Sequence, residues 1–373
     1  MSHLRRFVAF WLPAVVLFGL VLFSCRREQG VRIGVALPLS GSMAEYGQNA
    51  RNGVELAVED LQKLRDAPRL TILYQDTKDA PQETVDAVRR LVDVQNVHFI
   101  VGGLTSSGVL AAAPYAQAHG ALFFTPAASA PGIPEIGPLV FRNWPGDNAI
   151  AAQFGAAAVK RLRASRVAIL YVNNDYGKVN ADAFATALRS NGGRIIVARA
   201  FAQGNTDFRT LLAATQSAGS IDKLFVIAYP DEYRALFQQL GDTAPSSLLV
   251  SDTFYSPALL HELAGRADGV ICAVAAKPGA NYAPRQTFIT KYRNRFAKEP
   301  GLVADTAYDA VRILADAIQH TDGSPSTVAN WMLANVKDYQ GVAGPTTFSA
   351  TGDVAGSLAL YEVRGGQFRP VSP

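Results

Sequence analysis

Serine- and glycine-rich segments in the first third of the chain could bind an anionic group. Each follows a predicted strand and leads toward a helix: residues 39–47, 102–108 and 125–131. Free backbone N–H groups at a helix start, with serine hydroxyls beside them, can receive a carboxylate. Farther along, Asp175, Tyr176, Tyr229 and Asp252 occupy equivalent places and offer carboxylates and aromatic rings. The two sets together predict a site for a small zwitterion held between two halves of the protein.

Each of these residues also has an ordinary structural interpretation. Glycines and serines after strands form turns and caps in any fold of this kind. Asp252 can cap the helix that follows it, and Asp175 opens a helix. Tyr46 and Tyr176 can be half-buried aromatic residues. The residues by themselves leave both interpretations open.

Short β-branched segments alternate with longer segments of helical periodicity, and this order predicts an α/β fold. The predicted strands are 31–37, 70–74, 98–101 and 121–124 in a first unit, and 166–171, 194–197, 223–227, 247–250 and 269–273 in a second. The helices predicted between them are 52–64, 84–94, 176–190, 207–217, 231–240 and 257–264. Strict alternation requires crossover connections, so each parallel sheet is covered on both faces. We therefore predict two doubly wound lobes, with a first break near 143–146.

The pattern changes after residue 278. Three helices are predicted at 286–296, 304–319 and 326–336, followed by short strands at 346–348 and 357–363. Ligands of doubly wound sheets bind beyond the carboxyl ends of the strands. The residues singled out above therefore lie where a ligand is expected.

The N-terminal segment indicates where the protein works. Arg5 and Arg6 precede an apolar stretch over 7–23, which ends at Ser24 and Cys25. A charged start, a short apolar core and a small residue at the exit are typical of an export signal. Cysteine directly after the small residue resembles the lipobox of bacterial lipoproteins, which implies lipidation of Cys25 and removal of residues 1–24. An uncleaved membrane anchor is the alternative, and either places the rest of the chain outside the cytoplasm.

Composition excludes several classes of function. The formal net charge of the 373 residues is +4, which is too balanced to predict a nucleic-acid partner. If Cys25 is lipidated, Cys272 stands alone and no internal disulfide can form. The sequence contains no G-x-S-x-G, phosphate loop, H-E-x-x-H or dinucleotide fingerprint. We predict a protein that is not an enzyme and has no metal or cofactor.

Four segments carry a resemblance to a known family. They are LPLSGSMAEYGQNARNGVELAVED (37–60), VGGLTSSGVLAAAPYA (101–116), FFTPAASAP (123–131) and NDYGKVN (174–180). In their order they resemble the branched-chain amino-acid (Leu/Ile/Val) binding proteins, which are type I periplasmic binding proteins of ABC transporters. The resemblance covers about 31–363. It implies two lobes, joined by three hinge crossings, that close over an amino acid.

The resemblance also implies roles for particular residues. Ser106 and Ser129 match the residues that hold the ligand carboxylate, and Ala127 matches the residue whose carbonyl accepts from the ammonium. Asp252 matches the acid that pairs with the ammonium, and Tyr229 a tyrosine of the pocket. The aromatic residues of the Q-Y-G and D-x-Y-G patterns match Tyr46 and Tyr176.

This sequence departs from the family at three places. Asp252 stands where the branched-chain binders carry glutamate, so the reach of the acid is one methylene shorter. Val303 falls where they carry an aromatic residue, which affects the side-chain preference. Thr77 and Thr105 align with their disulfide partners, which implies a lobe that folds without that bridge.

The predicted function is a periplasmic, lipid-anchored binding protein that delivers a small amino acid, branched-chain or related, to an ABC transporter. Predicted boundaries are 1–24 for the signal, 25–30 for a tether, 31–145 plus 279–352 for the N-terminal lobe, and 146–278 plus 353–373 for the C-terminal lobe. The predicted partners are the transporter membrane subunits, and the predicted state is a monomer. Two alternatives stay open: a receptor for an amide or other small polar ligand, and a lipoprotein that regulates a protein of the cell envelope.

Overall fold

Two separate sheets, each wound with helices, form the protein. The computed structural model describes residues 30–371 except 79, 241–246 and 280. Its strands are β1 (Val31–Leu37), β2 (Leu70–Asp76), β3 (Phe99–Gly102), β4 (Leu122–Thr125), β5 (Val140–Arg142), β6 (Arg166–Val172), β7 (Arg194–Phe201), β8 (Lys223–Ile227), β9 (Leu248–Val250), β10 (Ile271–Ala275), β11 (Tyr339–Gln340), β12 (Pro345–Thr346), β13 (Leu358–Arg364) and β14 (Gln367–Pro370). Its α-helices are α1 (Ala44–Gln62), α2 (Pro81–Arg89), α3 (Ser106–Ala118), α4 (Asp147–Lys160), α5 (Asp175–Ser190), α6 (Arg209–Ser217), α7 (Pro230–Gln239), α8 (Pro257–Leu263), α9 (Ala283–Phe296), α10 (Ala304–Gln319) and α11 (Pro325–Asn335).

The first sheet is parallel throughout and has the order β2-β1-β3-β4-β5. Successive residues of its strands face opposite sides, because strand side chains alternate. Phe99 and Val101 join one apolar cluster, whereas Ile100 joins another. Helices therefore cover both faces of this sheet, as the alternating sequence pattern predicts.

The second sheet has the order β14-β13-β10-β9-β8-β6-β7. Its strands from β10 to β7 are parallel, and β13 and β14 add an antiparallel edge. The chain passes from the first sheet to the second after β5, returns after β10 to build α9–α11, and passes back before β13. The predicted fold class, two doubly wound lobes joined by three crossings, is confirmed.

Two predicted elements differ clearly in their bounds from those of the structure. The helix predicted at 52–64 begins at Ala44, and the strand predicted at 346–348 is reduced to β12, which pairs with β11. The strands β5, β11 and β14 were not predicted. The prediction started α1 too far along the chain because the helix contains glycines, which are unfavourable in helix interiors. Here they allow close packing: a Cβ on Gly47 would lie 1.9 Å from the Pro38 carbonyl oxygen, and one on Gly53 2.0 Å from that of Ala304.

Within the described part of the chain, no helix combines the length and the apolar character that crossing a bilayer would need. The predicted signal peptide and Cys25 lie outside the described residues. The lobe boundaries given above stay predictions.

Candidate functional site

A small cavity between the two sheets brings together all seven residues predicted to bind a ligand. We call it the ligand pocket. It offers about 40 Å³ to the centre of a water molecule. Its lining is Met43, Tyr46, Leu104, Thr105, Ser106, Ala127, Ser129, Trp144, Tyr176, Tyr229, Asp252, Thr253, Leu302 and Val303. Parallel strands present their carboxyl ends at one edge, so residues far apart in sequence meet there.

The first sheet contributes two buried serines. Ser106 begins α3, and its Oγ accepts hydrogen bonds from the backbone N–H groups of Ser129 (3.4 Å) and Ala130 (3.2 Å). Since no described residue accepts the Ser106 proton, it can be donated to a ligand. The Ser129 hydroxyl instead donates to the Asp147 carboxylate over 2.5 Å. The two predicted carboxylate donors therefore differ: Ser106 is ready to donate and Ser129 is already engaged.

The second sheet contributes an acid held by a tyrosine. Asp252 follows β9, and its carboxylate accepts from the Tyr176 hydroxyl at 2.7 Å and from the Thr253 N–H at 3.0 Å. The rings of Tyr176 and Tyr229 stack with their centroids 5.6 Å apart. Tyr229 precedes α7, whose first turn it caps. These contacts fix the Asp252 carboxylate toward the ligand pocket.

Hydrogen bonds connect the two halves around the pocket. The Tyr46 hydroxyl donates to the Thr253 carbonyl. At the rim, Ser107 Oγ donates to Asp175 (2.6 Å) and Ser256 Oγ donates to Glu45 (2.7 Å). The structure is therefore a closed arrangement. Tyr46 contributes its ring to the pocket wall, while its hydroxyl is used in this bridge.

Two acids lie near each other at the pocket: Asp147 is buried and Asp252 is half-buried. Burial raises the pKa of Asp252. Burial and the charge of Asp252 raise the pKa of Asp147 to about 8, against hydrogen bonds from Ser129 and Asn180. Sequence reasoning missed Asp147, although an acid in the first turn of a helix was a signal. Two carboxyls that resist ionisation together favour a cationic partner.

Several residues of the pocket lining are apolar. They are Met43, Leu104, Leu302, Val303 and Trp144. Val303 has a φ of 64°, which is a strained conformation for a β-branched residue. Sequence reasoning also missed Trp144, which reaches the pocket from the first crossing rather than from a strand end. These side chains can pack against a short aliphatic group.

Among the residues described, no group of three or more His, Cys, Asp or Glu side chains could hold a metal ion. Cys272 is buried in β10, and its Sγ lies 3.5 Å from the Ser251 carbonyl oxygen. Burial raises the pKa of its thiol well above the usual range. Cys272 therefore behaves as a small core residue.

Comparisons with known proteins agree with this architecture. The sequence pattern described as "Periplasmic binding protein" matches residues 30–367. The chain is 25% identical over 349 residues to the Leu/Ile/Val-binding protein homolog 3 of Brucella melitensis, with 92% of this chain and 94% of that protein covered.

Two solved structures share the fold. The leucine-binding protein LivK of Thermotoga maritima gives a TM-score of 0.85 at 24% identity, covering 92% of this chain and 98% of that one. A solute-binding protein of an ABC transporter from R. palustris, in complex with benzoate, gives a TM-score of 0.84 at 18% identity. The match covers 92% of this chain and 95% of that one.

Proposed function

The chain belongs to the periplasmic binding protein family, and from this premise we propose that it captures a small amino acid, branched-chain or related, and delivers it to an ABC transporter. One observation carries the proposal. The ligand pocket has the half-buried Asp252 carboxylate, the Ser106 hydroxyl and several apolar side chains, and among the described residues that line it none is basic. A carboxylate that a closed pocket shields from water is unfavourable without a cation. A ligand ammonium supplies that cation, and a short aliphatic side chain packs against the apolar residues.

A thermal-shift screen tests this function directly. The protein would be heated with each of the twenty amino acids and with simple amides. A ligand at a hundredfold its dissociation constant should add about 2.7 kcal/mol to the free energy of unfolding. We expect the largest shifts from aliphatic amino acids. Shifts from amides alone would indicate a receptor for an uncharged ligand instead.

We propose that Ser106 donates to the ligand carboxylate and that the Ala127 carbonyl accepts from the ammonium. Ser106→Ala should lower affinity by about 1.5–3 kcal/mol, the value of a hydrogen bond to a charged group. Ser129→Ala should cost less if the Ser129 hydroxyl remains on Asp147. Calorimetry measures both. The matched control is Ser190→Ala, since the exposed Ser190 hydroxyl bonds only its own helix. Unchanged affinity in both pocket variants would place the ligand elsewhere.

Lobe closure is part of the proposal, with hinges near 144–146, 278–280 and 350–354. The two halves of the site lie on different lobes, so without ligand the lobes should open. The bonds Ser107–Asp175 and Glu45–Ser256 would then break. X-ray scattering of the monomer should give a smaller radius of gyration with ligand than without. The same radius despite proven binding would argue for a rigid module that contacts a protein partner.

We also propose that Cys25 is lipidated and anchors the protein in the cell envelope. Arg26, rather than aspartate, follows it, so the outer membrane is the expected destination. Labelling with a fatty acid should mark the wild type and Cys272→Ala, but not Cys25→Ala. Cys272→Ala is the matched control, because Cys272 is the other cysteine of the chain. Equal labelling of the wild type and Cys25→Ala would contradict the anchor.

A further inference from the structure

Trp144 separates three neighbouring cavities. Its side chain is buried, with 3% exposed. It lines the ligand pocket, a larger cavity formed by the three crossings, and a small cavity that holds Asp147 and Asp252. We call the second of these the crossing cavity. Among the residues described as lining these cavities, Trp144 is the one common to all three.

The space on the two sides of Trp144 is very unequal. The ligand pocket offers about 40 Å³ to the centre of a water molecule, whereas the crossing cavity offers about 480 Å³ by the same measure. The wall of the crossing cavity comes from 143–145, 275–278, 343–347 and 354–357, together with Thr306. The indole of Trp144 therefore closes the ligand pocket toward a much larger space.

Polar contacts hold this indole and its crossing in place. The Lys277 ammonium lies 5.4 Å from the centroid of the Trp144 ring, within the range of a cation–π contact. Lys277 is itself bound to the Asp305 carboxylate, at 2.6 and 2.5 Å. Next to Trp144, the Asn143 side-chain amide donates to the Thr306 carbonyl at 2.8 Å. Asp305 and Thr306 of α10, in the first lobe, thus hold Trp144 and its neighbours in place.

We propose that Trp144 determines ligand specificity by setting the upper size limit of the side chain that the pocket accepts. The inference rests on the proposed function, because it concerns the ligand of that same pocket. Val303, another apolar residue of the lining, is small. Among the described lining residues Trp144 is the one that also borders the crossing cavity, so its removal would join the pocket to that cavity.

Size selection gives the first test. Calorimetry would compare valine, leucine and phenylalanine on the wild type, Trp144→Leu and Trp144→Ala. In the wild type, phenylalanine should bind worst. In the variants the ratio of phenylalanine to valine affinity should rise at least tenfold, because each further buried methylene is worth about a fourfold gain. Trp331→Leu is the matched control, since Trp331 lies on α11 and stacks on His320 away from the pocket; its ratio should equal that of the wild type.

Fluorescence gives a second test that does not require a cavity-forming variant. The chain contains Trp11, Trp144 and Trp331, and Trp11 precedes Cys25. In a protein that begins at residue 25, a ligand-induced change in emission should persist in Trp331→Phe and vanish in Trp144→Phe. Conversely, an emission change that survives in Trp144→Phe would overturn the proposal.

The outcomes separate this inference from the function on which it rests. If the wild type binds no amino acid, the proposed function is wrong and the size limit falls with it. If the wild type binds an amino acid and the Trp144 variants keep the wild-type ratio of phenylalanine to valine, the proposed function stands and Trp144 does not set the size limit.

Discussion

Replacing Asp252 by asparagine is expected to lower the affinity for an amino acid by an order of magnitude or more, while the fold survives. The substitution keeps the shape and removes the charge that, under the proposed function, pairs with the ligand ammonium. Calorimetry on Asp252→Asn would measure the loss. The control is Asp182→Asn, because Asp182 is an exposed acid on α5, outside the pocket lining.

The pH dependence of binding follows from the same residue. Burial raises the pKa of Asp252 and so disfavours its ionised form. An ammonium ligand would favour the ionised form, so binding should lower this pKa and release protons wherever Asp252 is still protonated. Affinity should rise with pH as Asp252 ionises, and Asp252→Asn should lack that rise. If Asp252→Asn binds the same amino acid as tightly as the wild type, the site is assigned wrongly. In a receptor for an amide, or a lipoprotein that contacts a protein, the substitution should barely change binding.

The second large effect is expected at Asp305. This buried acid accepts from Lys277 at 2.6 and 2.5 Å and from Arg285 at 2.6 Å. Burial opposes its ionisation, but the two cations lower its pKa to about 2. Asp305→Asn would leave the Lys277 ammonium, whose side chain is 19% exposed, and the Arg285 guanidinium without this counter-charge. We expect a loss of about 3–5 kcal/mol in the free energy of unfolding, measured by urea denaturation.

The pH dependence identifies the cause of that loss. The folded pKa of Asp305 lies below the unfolded value near 3.8, so its charge stabilises the fold above pH 4, and this contribution disappears as the pH falls through about 2. The difference between wild type and Asp305→Asn should therefore narrow below pH 4. The control is Glu299→Gln, because Glu299 and Arg293 form a pair with both side chains more than half exposed; no measurable change is expected there. A loss of similar size in both variants would contradict the role given to the buried cluster.

The sequence predicted those parts of the fold that depend on local periodicity. The helix predicted at 304–319 is α10, with the same bounds, because its apolar stripe is long and uninterrupted. By contrast, β5 has three residues and β14 four, which is too short for an alternation to be visible. The start of α1 was missed, since its glycines serve packing between elements rather than helix propensity.

For the pocket, too, sequence patterns predicted some of the residues and missed others. Its seven predicted residues meet in one cavity because they follow strand ends or open helices, and the order of a parallel sheet brings such positions together. Asp147 and Trp144 lie in or just after the first crossing, where the path of the chain depends on how the two sheets face each other. Local periodicity carries no information about how the two sheets face each other. What the pocket residues do for a ligand stays a prediction.

Because the chain crosses between the lobes three times, neither lobe can complete its folding until late in synthesis. Neither lobe is complete until late: Asn52 of α1 bonds to Tyr292 of α9, 240 residues away, and Ile271 of β10 pairs with Glu362 of β13. Contacts between distant residues slow folding, because a long loop must close before they form. A growing chain that has reached β10 still lacks α9–α11 and β13, so apolar faces of both lobes stay uncovered. Such a delay suits a polypeptide that is threaded through a membrane as an extended chain before it collapses.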